Sequence, residues 1–487
     1  MPQEHPNILF VLADDMGSWA MRCAGNSDIH TPNLDRLAAG GVRFENFFCV
    51  SPVCSPARAS LLTGRLPSAH GVHDWIRSGS VDKSALGPLV DDPYYADEHV
   101  AIRYLDGQPC YTDLLAAAGY DCALCGKWHL GDSLVLQHGF SRWFTIGRGG
   151  CLYYKPDIVE DGAISLSDEY VTDVITGKAI EYLNDMSKSE APFYLSVHYT
   201  APHSPWDEDQ HPAEIYDLYR DCEFLATPDL PIHPDQVSSA PFGTGDERKR
   251  LLRGYYAAVT AMDRGIGQLL DELERLGQAE RTLVCFTSDN GMNMGHHGIW
   301  GKGNGTFPLN LFDTSVKVPA IFSWKGRISP GVNVSLLSHY DVSHTLLDLA
   351  GCPDSLGGNL PGRSFAPSLL DGGDDGERAV CVYDEYGPSR MVRTQTAKLI
   401  RRYPYGPDEL YDLSLDPDET RNLIGEPEYQ ALRASLLDRL QSWFLQYTNP
   451  SMDATKEGVT GFGQLRLCGV RSEGKPVYAP VTTKRYV

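Results

Sequence analysis

No apolar run in this 487-residue chain reaches the length needed to cross a bilayer. A membrane-spanning helix is therefore not expected, and the membrane drops out as a partner. The opening Met1-Pro2-Gln3-Glu4-His5-Pro6 has no charged segment leading into an apolar one, so it does not read as a secretory signal. The expectation is a cytoplasmic protein, with a trimmed export signal as the alternative. Positive charge is scarce: 42 Lys and Arg stand against 64 Asp and Glu, a net charge of −22. A general nucleic-acid binder needs a basic footprint, so that class is disfavoured. The same field repels anions at long range, so any anion site must be locally basic. The 12 cysteines are irregularly spaced and do not read as a disulfide framework. Cys122-x-x-Cys125 lacks a second pair or a histidine at zinc spacing, and reads as two buried thiols. There are no internal repeats and no low-complexity segments.

What the chain does have is enough apolar residue, 42%, for a large core, and more length than one typical domain. Asn7–Leu12 is a short apolar run that ends in Ala13-Asp14-Asp15 and reads as a buried strand with an acidic tip. Phe193–Val197 is another and delivers His198. Thr282–Thr287 is a third and delivers Ser288-Asp289-Asn290-Gly291. Thr31-Pro32 reads as an N-cap and first helical residue, with Gly40-Gly41 as the stop. Residues 251–276 carry Tyr255, Val259, Met262, Ile266 and Leu269 at helical spacing. Strands alternating with helices predict an α/β fold: a large mixed, mostly parallel sheet sandwiched by helices. Ligands of such sheets sit beyond the carboxyl ends of the strands, where these three runs converge. A polar, Gly-rich stretch at 370–376 reads as a linker. The expected division is a catalytic domain over 1–370, a smaller C-terminal α+β domain with an antiparallel sheet over 377–448, and a tail over 449–487. That tail packs on the main domain or on a partner subunit, which leaves an oligomer open.

The block Cys54-Ser55-Pro56-Ala57-Arg58, continuing to Leu61-Leu62-Thr63-Gly64-Arg65, resembles the maturation motif of the type I sulfatases of the alkaline phosphatase superfamily. Further ordered segments are similar to that family: Asn7–Gly17, Thr31–Leu37, Gly126-Lys127-Trp128-His129-Leu130-Gly131, Ser288–Gly291, Gly301-Lys302-Gly303 and Asp416–Leu423. The resemblance implies a sulfuric ester hydrolase whose Cys54 is oxidised to formylglycine by a formylglycine-generating or anaerobic sulfatase-maturating enzyme. The hydrated aldehyde would attack sulfur, the alcohol would leave, and the second hydroxyl would expel sulfate from the covalent formylglycine-sulfate intermediate.

The chemistry of the residue types agrees. Asp14, Asp15, Asp289 and Asn290, with residue 54, form an oxygen-rich metal set. Converging carboxylates repel unless a cation joins them. All-oxygen ligation favours a hard ion over zinc, and the resemblance implies one Ca2+ ahead of Mg2+. Family precedent also sets the roles of the cationic and proton-bearing residues. Arg58 would orient the nucleophile, and Lys127 and Lys302 would hold the sulfate oxygens. His198 or Lys302 would protonate the leaving alcohol, and His129 would deprotonate the remaining hydroxyl. His203, Arg77, Trp75 and His297 are substrate-contact candidates on loops beside the site. The expected substrate is a small sulfated saccharide. Aryl or alkyl sulfates are the alternative, and so is phosphonate monoester or phosphodiester hydrolysis of the same superfamily. An inactive binding protein on this fold would have lost at least one of these residues.

Overall fold

The computed structural model describes residues 5–481 except 354, 374, 375, 377 and 385–387. Part of the predicted linker at 370–376 thus lies outside the described residues.

The strands, in chain order, are β1 (Asn7–Ala13), β2 (Val42–Phe48), β3 (Asp121–Gly126), β4 (Arg142–Ile146), β5 (Asp157–Glu160), β6 (Ala163–Leu166), β7 (Phe193–His198), β8 (Thr282–Ser288), β9 (Asn293–Met294), β10 (Trp300–Gly301), β11 (Ala320–Ser323), β12 (Gly331–Ser338), β13 (Val380–Asp384), β14 (Ser389–Arg393), β15 (Ala397–Arg402) and β16 (Glu409–Asp412). Ten of them form one sheet in the order β12-β2-β11-β8-β1-β7-β3-β4-β5-β6. Its centre, β8-β1-β7-β3-β4, is parallel throughout. Antiparallel pairs flank it, β11 against β8 and β5 against β4. The sheet is mixed and mostly parallel, as the sequence predicts.

The alternation along β1 explains why both faces are covered. Ile8, Phe10 and Leu12 point into one core cluster, and Leu9, Val11 and Ala13 into another. Successive side chains of a strand face opposite ways, so a fully apolar strand needs a helical layer on each side. The helices Cys54–Thr63, Tyr111–Ala117 and His339–Leu349 pack together on the first side. Pro32–Ala39, Val171–Met186 and the 31-residue Gly245–Arg275 pack on the second. Tyr255, Val259, Met262, Ile266 and Leu269 are all buried on that long helix. Cys122 and Cys125 fall on opposite faces of β3, one in each core, so they are separate buried thiols.

The cap of Pro32–Ala39 differs from expectation. The Thr31 hydroxyl accepts from the Arg22 N–H instead. The Asp263 carboxylate of the long helix receives the N–H groups of Asn33 and Leu34 at 3.1 and 2.7 Å. A carboxylate reaching in from a neighbouring helix satisfies the orphan donors as an N-cap would, and complements the helix dipole.

Strands β13–β16 form an antiparallel four-stranded sheet covered by the helix Gln430–Tyr447. Residues 449–481 then run back onto the main domain: Gln464 pairs with Ile76 and with Tyr478 in isolated bridges. No helix among the described residues is long and apolar enough to cross a membrane.

Candidate active site

Strand tips and one helix N-terminus build the site at the carboxyl edge of the parallel strands. β1 carries Asp14 and Asp15 off its end, β8 carries Asp289 and Asn290, and β3 leads into Lys127 and His129. In-register pairing puts Ala13 beside Ser288 and Gly126 beside His198, so these tips arrive at one level. The helix Cys54–Thr63, every residue of which is buried, starts at Cys54 and points its N-terminus at them. One turn on, Arg58 enters the same space.

The contacts are dense and ionic. Cys54 Sγ lies 3.4 Å from Asp14 Oδ1, 3.6 Å from Asp15 Oδ1 and 2.9 Å from Lys302 Nζ. Lys302 Nζ reaches Asp15 Oδ1 at 2.5 Å, and Lys127 Nζ reaches Asp14 Oδ2 at 2.5 Å. Arg58 Nε donates to Asp289 Oδ2 at 3.0 Å, and its NH1 donates to the Lys127 carbonyl at 2.9 Å. Three carboxylates thus face three cations, and all six residues are buried. The field of a chain with net charge −22 is neutralised here locally, as an anion site requires.

Burial and charge partners set the protonation states. Burial pushes the Asp289 carboxyl upward, but Arg58, Lys127 and Lys302 outweigh it and hold the group below the usual range. Asp15 is pulled down in the same way, with Lys302 as the largest opposing influence on its burial. Asp14 is left raised, because burial outweighs Lys127. Burial, reinforced by Asp14, pushes the Cys54 thiol well up, so the unmodified side chain is protonated and a poor nucleophile.

Asp14, Asp15, Cys54 and Asp289 each offer a ligand atom within 4.8 Å of the others. Asn290 donates its Nδ2 to Asp15 Oδ1 at 2.8 Å, while its Oδ1 is buried with no partner. A buried orphan acceptor beside three carboxylates fits a hard divalent cation bound through oxygen. The acidic tips are held in unusual backbone geometry: Asp15 has φ 61° and His129 φ 56°. Non-glycine residues in the left-handed region concentrate at functional sites.

The histidines divide sharply. His129 Nε2 faces the Ile76 carbonyl at 3.0 Å, so that nitrogen carries the proton. Its Nδ1 is buried without a partner, leaving a free lone pair. Burial, then Lys127, holds its pKa well below normal. A Cβ on Gly149 would come within 2.0 Å of this ring, so glycine is what lets the loop pass. His198, expected near the leaving alcohol, does not line the cleft. Its Nδ1 donates to the Lys127 carbonyl at 3.0 Å, its Nε2 meets Ser196 Oγ at 2.7 Å, and burial and Arg58 push its pKa to about 3. Both nitrogens are engaged because the residue is still in sheet register, opposite Leu12 and Gly126. His203, past the turn, is the histidine that reaches the open site, with Nε2 3.6 Å from Asp15 Oδ2. Its Nδ1 donates to the Ser204 carbonyl at 2.8 Å, which leaves Nε2 facing the metal ligands.

A cleft of about 880 Å³ opens above Cys54. Lys127, His129, His203 and Lys302 line its floor, with Trp75 and Arg77 on its wall. His297 stacks on Phe312 with ring centroids 3.9 Å apart and does not line the cleft. Sequence reasoning missed Tyr94, Arg148, Lys155, Asp157 and Asn304, all on the cleft. A signal existed for Arg148: β4 runs parallel to β3, so Gly147-Arg148-Gly149 leaves the sheet at the same edge. Asp157 opens β5, and Tyr94, Lys155 and Asn304 lie in short irregular segments with no periodic pattern.

An α/β sheet with oxygen donors and three cations at its carboxyl edge defines a hydrolase of anionic esters. The sulfatase family profile matches residues 6–352, and a profile for the C-terminal part of N-sulphoglucosamine sulphohydrolases matches 295–446. The chain belongs to the sulfatase family, whose members hydrolyse sulfate esters. It is 29% identical to an N-acetylglucosamine-6-O-sulfatase of Bacteroides thetaiotaomicron over 95% of this chain and 90% of that one. It is 30% identical to human arylsulfatase A over 86% of this chain and 83% of that one. A solved structure of a protein in complex with its substrate D-glucosamine-2-N,6-O-disulfate superposes with a TM-score of 0.75 at 25% identity, covering 92% of this chain and 99% of that one.

Proposed function

We propose that the protein is a formylglycine-dependent, calcium-using sulfatase that removes sulfate from a small sulfated saccharide. The observation that carries this is the placement of Cys54. Its side chain sits between the acidic metal set and Lys302, at the floor of the cleft. Oxidised to formylglycine, residue 54 supplies a hydrated aldehyde as nucleophile. A calcium ion held by Asp14, Asp15, Asp289 and Asn290 supplies positive charge for an anionic ester.

The protein's own groups do the rest. With three carboxylates balanced by three cations, the protein alone gives no net pull on an anion. Lys127 and Lys302 provide directional donors for the non-bridging sulfate oxygens once the carboxylates share their charge with the metal. Arg58 is anchored by Asp289 and the Lys127 carbonyl, so it holds the motif helix in place and faces the nucleophile without moving. His129, with Nε2–H fixed on the Ile76 carbonyl, keeps an unprotonated Nδ1 as the base. His203, not His198, stands where the leaving alcohol exits, and with Lys302 it is the proton source for that oxygen.

Two features support a saccharide. The relatives with high similarity include one named for N-acetylglucosamine-6-sulfate and a structure bound to a glucosamine disulfate. The wall offers the Trp75 ring and an Arg77–Asp97 pair at 2.7 Å, a mixture of apolar face and polar groups suited to a hydroxylated ring. A panel of sulfated mono- and disaccharides beside 4-nitrophenyl sulfate tests this. Higher kcat/KM on a saccharide than on the aryl ester is expected, and turnover of the aryl ester alone would overturn the saccharide reading.

A further inference from the structure

Residues 449–481 lie beyond the family matches, which stop at 352 and 446. They nevertheless underpin the cleft wall. Gln464 is wholly buried. Its Oε1 accepts the His73 N–H at 2.9 Å, and its Nε2 donates to the Gly71 carbonyl at 3.0 Å. Its backbone N–H donates to the Trp75 carbonyl at 2.8 Å, and its carbonyl accepts the Arg77 N–H at 2.9 Å. Asp74 Oδ2 accepts the Gly463 N–H at 3.1 Å, and His73 Nδ1 meets the Tyr478 hydroxyl at 2.7 Å. The side chains are tied as well: Arg77 NH1 donates to the Phe462 carbonyl at 3.2 Å, and Trp75 Nε1 to the Gly461 carbonyl at 3.3 Å.

The approach is as close as backbone allows. Gly463 has φ +108°, and a Cβ there would lie 2.5 Å from Arg77 Cβ and 3.0 Å from Trp75 Cζ2. Any side chain at 463 must push Trp75 and Arg77 into the cleft or lift the tail off. On its other edge the same strip touches the chemistry. The Ile76 N–H donates to Ser55 Oγ at 3.0 Å, and the Ile76 carbonyl takes the His129 Nε2–H at 3.0 Å.

We propose that Gly463 and Gln464 are specificity-determining positioning residues. They hold Trp75 and Arg77 against the part of the substrate beyond its sulfate, a hydroxylated ring. The sulfate is bound deeper, by groups on the strand tips. Trp75 and Arg77 sit on a strip without regular secondary structure, and recognition groups work only when held to about 0.5 Å. The tail supplies that restraint through the two backbone bonds of Gln464 and the side-chain bonds around them. This inference rests on the reading of the cleft as a saccharide sulfate site.

Gly463→Ala is compared with wild type on N-acetylglucosamine 6-sulfate and on 4-nitrophenyl sulfate. The saccharide-to-aryl ratio of kcat/KM is expected to fall at least about tenfold, chiefly through the KM of the saccharide. In an Arg77→Ala background, Gly463→Ala should add less than it does alone, because part of its effect runs through the Arg77 side chain, while Trp75 and the Cβ at 77 carry the rest. Tyr478→Phe removes one hydrogen bond to His73 and no volume. It carries the same test with a fall of about two- to threefold in the ratio should the alanine variant not fold. An equal loss on both substrates, an unchanged ratio, or full additivity with Arg77→Ala would overturn the proposal. Wild type active on the aryl ester alone would overturn the saccharide reading and this proposal together. Wild type active on both, with unchanged ratios in the variants, would overturn this proposal only.

Discussion

Cys54, Arg58, Lys127 and Asp289 sit on strand tips or on a helix with no exposed residue, whereas Trp75 and Arg77 hang on a strip braced by the C-terminal segment. The floor is fixed by in-register β-pairing that also holds the core together, so its geometry is as stable as the fold. The wall is fixed by a few hydrogen bonds between segments nearly 400 residues apart in sequence. Chemistry is thus placed by the sheet, and recognition by pieces that can change without disturbing it.

The comparison can be broken at either end. The largest effect is expected from the floor: Cys54→Ala should lower kcat by roughly 10⁴-fold or more on every sulfate ester, with thermal stability close to wild type. Retained turnover would place the nucleophile elsewhere. Next come the two histidines. His203→Ala should lower kcat by about 10²–10³-fold on an alkyl or sugar sulfate, and less on 4-nitrophenyl sulfate, whose leaving group needs no proton. His198→Ala should instead lower Tm, since it leaves a cavity in the core and removes one hydrogen bond each from Ser196 Oγ and the Lys127 carbonyl, which keep only Tyr194 and Arg58 as partners. Stopped assays paired with thermal melts separate the two, and the reverse pattern would restore His198 to the chemistry.

At the wall, Arg77→Ala is expected to raise the saccharide KM by about tenfold with kcat little changed, as for uniform binding lost. An equal fall in kcat would show that the wall takes part in the reaction. The smallest effect is on stability against pH. His198 and His73 have folded pKa values of about 3 and about 4, below the ordinary 6.5, because burial disfavours their charged forms. Between those values and 6.5 the unfolded chain binds protons that the folded one does not, so stability rises with pH there. Melts should show Tm falling by about 5 °C or more from pH 6.5 to pH 4. His73→Asn should flatten part of that slope, and an unchanged slope would show that His73 titrates normally.

The sequence was most legible where physics is local. Apolar runs ending in Asp-Asp or Asp-Asn placed the central strands and their acidic tips, because a strand buried on both faces must be apolar and a ligand must wait at its carboxyl end. The choice between His198 and His203 was not legible, since it depends on whether β7 ends before or after residue 198. Strand register keeps His198 within the sheet, opposite Leu12, and only the turn beyond brings His203 to the cleft. His297 resembled a site residue through its neighbourhood alone, and Phe312, distant in spacing from any motif, claims it. The hairpin of β14 and β15 turns at Thr394–Thr396, where two threonines of high β-propensity mask the turn. Gln464 carried no signal: a lone glutamine in a polar tail is indistinguishable from surface until its partners at 71–77 are in place.

The account stands most directly on residue 54. Peptide mass analysis across Cys54 should be run on preparations matured to different extents, each with its specific activity on a sulfate ester. Activity should rise in proportion to the fraction of formylglycine and extrapolate to near zero for the unmodified thiol, which burial keeps protonated. Full activity from a preparation carrying only unmodified cysteine would contradict it.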